Sequence, residues 1–278
     1  MSNAKIPLAA VIGHPIAHSK SPDVHGYWLR KYGIPGHYIP LDIAPDDLTD
    51  LLPRLPDLGF VGANVTIPHK ETVMNIADEI TDRATVIGAA NTLTFQKDGR
   101  ILADNTDGYG FIENIRQTVP NWNPKSGTAV VFGAGGAARA VLFSLLDVGV
   151  PRIILTNRTR ERAEKLRDDF GNRIEVADWA DAGNSLADSD LVVHTTSLGM
   201  TGHREMGVPL DGLKLGVIVA DLVYSPLRTG LLATAEEKGC RVVDGLGMLL
   251  HQAVPGFECW FGVRPAVTPE LRTVVLGE

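Results

Sequence analysis

Gly133, Gly135 and Ala138 fit the spacing G-x-G-x-x-A, and the residues on either side give that pattern a chemical meaning. The first glycine permits a tight turn, the second lets backbone approach a pyrophosphate, and a small third residue lets helix pack on strand. Residues 128–132 are apolar and β-branched, as a strand buried on both faces of a parallel sheet should be. Val141, Leu142, Leu145 and Leu146 then recur at helical spacing up to Gly149, so a helix N-terminus with free N–H groups is expected to face phosphates.

A second set of chemistry-bearing residues lies earlier in the chain: Ser19 and Ser21, Asn64-Val-Thr-Ile-Pro-His-Lys70, Ala90-Asn91-Thr92, and Asp104-Asn-Thr-Asp107. Each is expected to follow a strand, and ligands of open α/β sheets bind outside the carboxyl ends of strands. Taken singly, each has a plain structural reading. Ser21 can be a helix N-cap, Lys70 one charge on an amphipathic helix, and Asp107 a first-turn acid favoured by the helix dipole.

The elements that must position these groups alternate between strand and helix. Residues 8–12 read as a strand, and a helix is expected to start at Ser21 and Pro22, carry Val24, Trp28 and Leu29 inward and end at Gly33. Strands follow at 37–43 and 59–67, with a short helix at 45–52 between them. Pro68 is expected to open another helix, with Val73, Ile76, Ala77 and Ile80 on one face. Lys97-Asp98-Gly99-Arg100 between 91–96 and 101–103 signals a hairpin. After a helix at 106–117, the turn-rich stretch 120–127 reads as a link into a second unit. There, strands at 153–156, 174–177, 191–195, 216–220 and 241–243 alternate with helices, one of them charged and capped by Thr159; the alternation means a parallel sheet. Residues 248–261 read as a helix, or a pair broken at Pro255.

At 278 residues and 44% hydrophobic content, the chain can build two modest domains with real cores. A net charge of -7 without a long basic run argues against a nucleic-acid surface. Only Cys240 and Cys259 are present, too few for a disulfide framework, and neither has metal-ligand spacing with a histidine. Residues 1–8 lack a leader pattern and no apolar run approaches a bilayer span, so the cytoplasm is the expected location and no metal is expected.

Gly13-His-Pro-Ile-Ala-His-Ser-Lys-Ser-Pro22, the segment ending in Lys70, Ala90-Asn-Thr92 and Asn105-Thr-Asp107 together resemble shikimate dehydrogenases. The resemblance continues in order through Gly133-Ala-Gly-Gly-Ala137, Asn157-Arg-Thr159 with Arg162, Asp221-Leu-Val-Tyr224-Ser-Pro226 and Gly245-Leu-Gly-Met-Leu-Leu-His-Gln252. It implies two α/β domains around a cleft: a mostly parallel-sheet substrate-binding catalytic domain at 1–112, completed by a C-terminal helix returning at 248–278, and a Rossmann-like NADP-binding domain at 113–247. With substrate and cofactor motifs on different halves, closure over both ligands is also expected.

By the same resemblance, Lys70 and Asp107 form the catalytic pair. Hydride leaves carbon while a proton leaves oxygen, so a group must take that proton and another must stabilise the developing charge. Which of the two takes the proton stays open. Ser19 and Ser21 are implied to bind the substrate carboxylate, and Thr66, Asn91, Tyr224 and Gln252 to order its hydroxyl groups, alongside Lys70 and Asp107. A plain reading makes Tyr224 a core tyrosine and Gln252 an exposed helix position.

For the cofactor, the resemblance implies Gly133, Ala134, Gly135, Gly136 and Ala137 at the pyrophosphate, and Asn157, Arg158, Thr159 and Arg162 at the adenosine end. Thr195, Thr196, Ser197, Leu222, Gly245 and Met248 are implied on the nicotinamide side, with Asp82 a further candidate. A 2′-phosphate requires arginine and no nearby acid, so Arg158 and Arg162 favour NADP. Three positions depart from the family pattern: His194 stands where asparagine is expected, His69 where an aromatic or other large residue is common, and Gly26 where asparagine is usual.

The implied activity is the reversible reduction of 3-dehydroshikimate to shikimate by NADPH, in aromatic amino-acid biosynthesis (the chorismate pathway), by a monomer or homodimer. The alternatives are a quinate/shikimate dehydrogenase with relaxed cofactor use and a non-catalytic NADP-binding sensor on the same fold.

Overall fold

A computed structural model describes residues 6–277. Most of the segment 1–8 read for a leader therefore lies outside the described residues. The chain divides into two compact units, Met1–Thr106 with Leu250–Glu278, and Asp107–Leu249. The divisions thus fall at 106/107 and 249/250 rather than at 112/113 and 247/248, and the turn-rich stretch 120–127 lies inside unit 2 instead of linking the units.

Unit 1 is built from β1 (Leu8–Gly13), α1 (Ser21–Lys31), β2 (His37–Asp42), α2 (Leu48–Leu51), β3 (Phe60–Val65), β4 (Glu79–Ile80), α3 (Asp82–Ile87), β5 (Thr92–Phe95) and β6 (Ile101–Asp104). Its sheet has the order β2-β1-β3-β5-β6-β4. The β1, β2 and β3 strands are parallel, whereas β5 runs antiparallel to both β3 and β6. The Asp98-Gly99 hairpin expected from sequence makes that reversal. One face of the sheet, including Ala10, Ile12, Ala63, Val65 and Leu93, packs on Leu48, Leu52 and Val73.

Unit 2 contains α4 (Asp107–Thr118), β7 (Thr128–Phe132), α5 (Gly136–Asp147), β8 (Arg152–Thr156), α6 (Arg160–Phe170), β9 (Ile174–Ala177), β10 (Leu191–His194), β11 (Ile218–Asp221), α7 (Gly230–Glu237) and β12 (Arg241–Val243). All its strand pairs are parallel, in the order β12-β11-β10-β7-β8-β9. The chain starts in the middle and winds outward both ways, so the strand order reverses between β7 and β10, where such sheets bind dinucleotides. Alternation along β7 sends Ala129 and Val131 into one core and Val130 and Phe132 into the other, which is why its sequence is apolar throughout.

The chain ends with α8 (Gly245–Phe261) and α9 (Pro269–Leu276). α8 continues through Pro255 as one helix, so the alternative of a broken pair fails. The helix loses one backbone bond there, but the burial of Leu250, Ala253, Val254 and Phe257 in unit 1 outweighs it. Trp260 donates from Nε1 to the Leu93 carbonyl at 3.0 Å, fixing the end of α8 to the unit 1 sheet.

Two other local expectations fail. Residues 68–80 form turns and one short 3₁₀ segment, Thr72–Asn75, rather than a helix. Only Val73 of the supposed apolar face is fully buried, and Glu79–Ile80 is captured as an edge strand beside β6. Ser21 is the first residue of α1 and not its N-cap; its own N–H donates to Ser19 Oγ at 3.3 Å.

Candidate active site

The ends of β1 and β3 begin the unit 1 rim. The Thr66 N–H donates to the Ile12 carbonyl and the Val65 N–H to the Asn91 carbonyl. The Ala90 N–H donates to the Lys70 carbonyl at 2.8 Å, which ties the backbone of Lys70 beside Asn91. Asn91 does not follow a strand, as expected, but precedes β5. Because β5 is reversed, its amino end lies level with the carboxyl end of β3, Thr92 pairing with Asn64 and with Asp104. The rim therefore still collects Thr66, Lys70, Asn91 and Thr106.

Asn91 is buried, and its amide has a defined polarity. Its Oδ1 accepts from the Thr106 N–H at 2.8 Å and the Thr92 hydroxyl at 3.0 Å. Its Nδ2 donates to Gln252 Oε1 at 3.0 Å. That bond in turn orients Gln252 with its NH₂ away from Asn91. The Thr106 hydroxyl also meets the Gln252 carbonyl at 2.8 Å, so Gln252 is a buried member of unit 1 and not an exposed helix position. The network continues through Asn64, whose Nδ2 donates to the Asn91 carbonyl and whose Oδ1 accepts from the Tyr38 hydroxyl at 2.7 Å. Burial pushes the Tyr38 phenol well up, with Ser21 opposing the shift, so it acts as a neutral donor.

Ser19 lines a cavity of ≈ 440 Å³ together with His18, Lys20 and Asp23. In the adjoining core of unit 1, the buried His25 ring stacks on Tyr38 at a centroid distance of 3.9 Å. Desolvation lowers the His25 imidazole to about 3 against a smaller pull from Asn64, and neither ring nitrogen has a hydrogen-bond partner. His69 is buried too; its Nε2–H donates to the Ile43 carbonyl at 2.7 Å, a structural bond holding the turn before Lys70. Asp104 is engaged by Arg83 and Thr81: burial acts to raise its carboxyl, but these partners bring it below the usual range.

The remaining substrate candidates, Tyr224 and Asp107, belong to unit 2. Tyr224 is half exposed, and Asp107 opens α4 directly after the anchored Thr106.

In unit 2, the loop after β7 has the conformation its spacing predicts. Gly133 has φ +110°, and a Cβ there would stand 2.5 Å from Thr195 Oγ1, so both backbone shape and close approach require glycine. Thr195 closes onto the loop, its N–H and hydroxyl both reaching the Phe132 carbonyl at 2.9 and 2.8 Å. Asn157 Oδ1 accepts from the Ala134 N–H at 3.2 Å and its Nδ2 donates to the Thr159 carbonyl at 2.7 Å, joining the loop to the end of β8. A Cβ on Gly135 or Gly136 would meet nothing within 4 Å, and no side chain caps α5. This open space before uncapped N–H groups fits a dinucleotide pyrophosphate.

Thr159 occupies the N-cap position of α6 but its hydroxyl makes no cap bond. Arg160 is committed to Glu164 and Asp178, whereas Arg158 and Arg162 are exposed and, among the described residues, pair with no carboxylate. Leu222 and Gly245 are in close apposition, since a Cβ on Gly245 would stand 2.3 Å from the Leu222 carbonyl oxygen. Asp244 Oδ1 accepts from the Leu246 and Gly247 N–H groups and so caps the start of α8 before Met248. Asp82 alone among the cofactor candidates lies in unit 1, exposed in the first turn of α3, where the helix dipole favours an acid. Sequence reasoning missed the roles of Tyr38, Thr106 and Asp244, which appear only once their partners are in place.

The sequence matches three family descriptions: the shikimate dehydrogenase substrate binding domain over residues 11–93, shikimate / quinate 5-dehydrogenase over 115–201, and the shikimate 5'-dehydrogenase C-terminal domain over 245–269. A shikimate dehydrogenase (NADP(+)) of Cereibacter sphaeroides is 64% identical over 98% of this chain and 98% of its own. The chain belongs to the shikimate dehydrogenase family. Its two-unit α/β architecture is that of the family's solved members. The shikimate 5-dehydrogenase of Thermus thermophilus, in complex with NADP(H) and shikimate, superposes with TM-score 0.86 at 33% identity, covering 98% of this chain and 99% of its own. The quinate dehydrogenase of Corynebacterium glutamicum, in complex with NAD, does so with TM-score 0.90 at 31% identity, covering 98% and 99%. Among the described residues no helix is long and apolar enough to cross a membrane.

Proposed function

We infer that the protein is an NADP-dependent shikimate dehydrogenase, with unit 1 holding the substrate and unit 2 the cofactor. The observation that carries this reading is the polarised amide pair of Asn91 and Gln252, on the same rim as Thr66 and Lys70. Two buried amides, one oriented by the Thr106 N–H and the Thr92 hydroxyl and the other by the first, are suited to hydroxyl oxygens on a compact ring, and reject analogues that leave them unpaired. Ser19 and Ser21 supply neutral hydroxyl donors for a carboxylate, and Tyr224 completes the hydroxyl contacts.

Lys70 and Asp107 are the catalytic pair in this reading. The substrate hydroxyl proton leaves to the pair as oxygen becomes a ketone, and the ammonium stabilises the charge developing on that oxygen. NADP, when bound, supplies the nicotinamide that accepts or returns the hydride. The glycine loop 133–137 with Asn157 binds its pyrophosphate side, Arg158, Thr159 and Arg162 its 2′-phosphate, and Thr195, Thr196, Ser197, Leu222, Gly245 and Met248 its nicotinamide half. The two uncommitted arginines support NADP over NAD. Two free cysteines support a cytoplasmic setting, and a net charge of -7 without a long basic run supports a protein with no nucleic-acid partner.

A steady-state panel of shikimate and quinate, each with NAD and NADP, tests the reading. Oxidation of shikimate with NADP at the highest kcat/KM is expected. Equal or faster turnover of quinate with NAD moves the assignment to a quinate/shikimate dehydrogenase. Cofactor binding without oxidation of either acid leaves a sensor.

A further inference from the structure

His194 ends β10, directly before the segment that closes on the glycine loop, and its ring is 1% exposed. Its Nδ1 lies 2.9 Å from Asp221 Oδ1 at the end of the neighbouring β11, and its Nε2 lies 2.6 Å from the Thr196 hydroxyl. Asp221 is itself buried and engaged at both oxygens: Oδ1 also accepts from the Val223 N–H at 3.0 Å, and Oδ2 from the Thr229 hydroxyl at 2.7 Å. Thr229 in turn caps α7 by accepting from the Leu232 N–H.

With a neutral ring this arrangement has one sense. A carboxylate only accepts, so the Nδ1 of His194 carries the proton facing it. In the neutral ring Nε2 then accepts, and it takes the hydrogen of the Thr196 hydroxyl. Thr196 Oγ1 is left to accept from the Leu198 N–H, which it does at 3.1 Å. One chain of hydrogen bonds thus runs from a buried anion, through imidazole and hydroxyl, to a backbone N–H in the loop. The loop it holds contains Thr195 and Thr196, whose side chains would stand 2.5 and 2.7 Å from a Cβ on Gly133. The imidazole bond to Thr196, together with the two bonds of Thr195 to the Phe132 carbonyl, sets where the loop stands against the glycine turn.

We propose that His194 is a positioning residue for the cofactor: through Thr196 it sets loop 195–198 against Gly133, and so tunes affinity for the nicotinamide half of NADP. The proposal rests on the cofactor reading above. It is independent of which acid is oxidised.

Two substitutions divide the ring's functions. Asparagine places its amide nitrogen where Nδ1 stands and ends there, keeping Asp221 but not Thr196. Glutamine reaches the Nε2 position and offers its amide oxygen to Thr196, but gives up Asp221. The readouts are the dissociation constant of NADPH, from the quenching and transfer of its fluorescence on binding, and the thermal midpoint of the ligand-free protein. His194→Asn should weaken NADPH binding about tenfold, the loss of one buried hydrogen bond, with a midpoint within about 3 °C of native. His194→Gln should bind within about twofold of native while its midpoint falls by about 5 °C or more, because the buried carboxylate loses a donor. Thr196→Val, which leaves the buried Asp221 and its partners untouched, should weaken binding by itself, and adding His194→Asn to it should change the constant by less than about twofold. Unchanged binding in His194→Asn, or affinity and midpoint falling together in both variants, overturns the proposal and leaves the cofactor reading standing. A native protein that does not bind NADPH overturns both.

Discussion

Around the glycine turn of unit 2, the groups offered to a ligand are mostly backbone: uncapped N–H groups of α5, open space over Gly135 and Gly136, and a turn that only glycine can make. On the rim of unit 1 they are side chains, and each is oriented by another: Asn91 by Thr92 and Thr106, Gln252 by Asn91, with Asn64 and the buried Tyr38 behind them. In the proposed function, the difference follows from what each unit has to distinguish. A pyrophosphate is a large anion that any row of N–H groups can satisfy. Hydroxyl groups on a small ring differ only in position and direction, so reading them requires amides and hydroxyls whose donors cannot swap with their acceptors.

That contrast can be broken one unit at a time. Lys70→Ala should lower turnover by roughly a thousandfold and leave NADPH binding within about twofold, because the change removes transition-state stabilisation on unit 1 alone. Near-native turnover would remove Lys70 from the catalytic pair. Gly133→Val should weaken NADPH binding by about a hundredfold, since the new side chain meets both Thr195 and an unfavourable φ, while shikimate binding measured by calorimetry persists. Equal loss of both ligands would mean that the recognition chemistries are not separable by unit.

A smaller effect concerns stability alone. The folded protein holds His25 neutral down to about 3, whereas the unfolded chain takes up that proton at the ordinary histidine value near 6.5. The unfolded state therefore binds more protons between those values, and stability falls as pH falls through that window, by about 2 kcal/mol from this residue at pH 5. His25→Phe, which keeps the aromatic stack on Tyr38, should flatten this part of the pH dependence of the thermal midpoint. A native-like acid slope in that variant would place the titration elsewhere. Smallest, Arg158→Gln with Arg162→Gln should cut the preference for NADP over NAD by about tenfold in kcat/KM, as loss of exposed phosphate partners does.

What is legible in the sequence follows the same division. The glycine loop, the parallel order of unit 2 and the Asp98-Gly99 hairpin depend on short-range spacing and on conformations that few residues adopt, so they can be read locally. The rim of unit 1 can be read only as a set of candidates. Sequence spacing places Asn91 at the wrong end of a strand, because the consequence of the hairpin, a reversed β5, shows only in the pairing with its neighbours. The helix expected from Pro68 fails because the edge of β6 takes residues 79–80, and of the two readings at Pro255 the single helix holds because α8 is packed on both sides of it. His69 and His194 read only as departures from the family pattern, yet each is buried with a partner far along the chain, Ile43 and Asp221.

The bonds of Asn91 also set an order of assembly. Its partner Thr106 lies 15 residues away, across the hairpin, whereas Gln252 lies 161 residues away. Short loops close early and long ones late, so the first pair can form while the chain is still being synthesised and the second cannot. A nascent chain would carry half of this recognition network, already oriented, and would gain its last amide only when α8 leaves the ribosome.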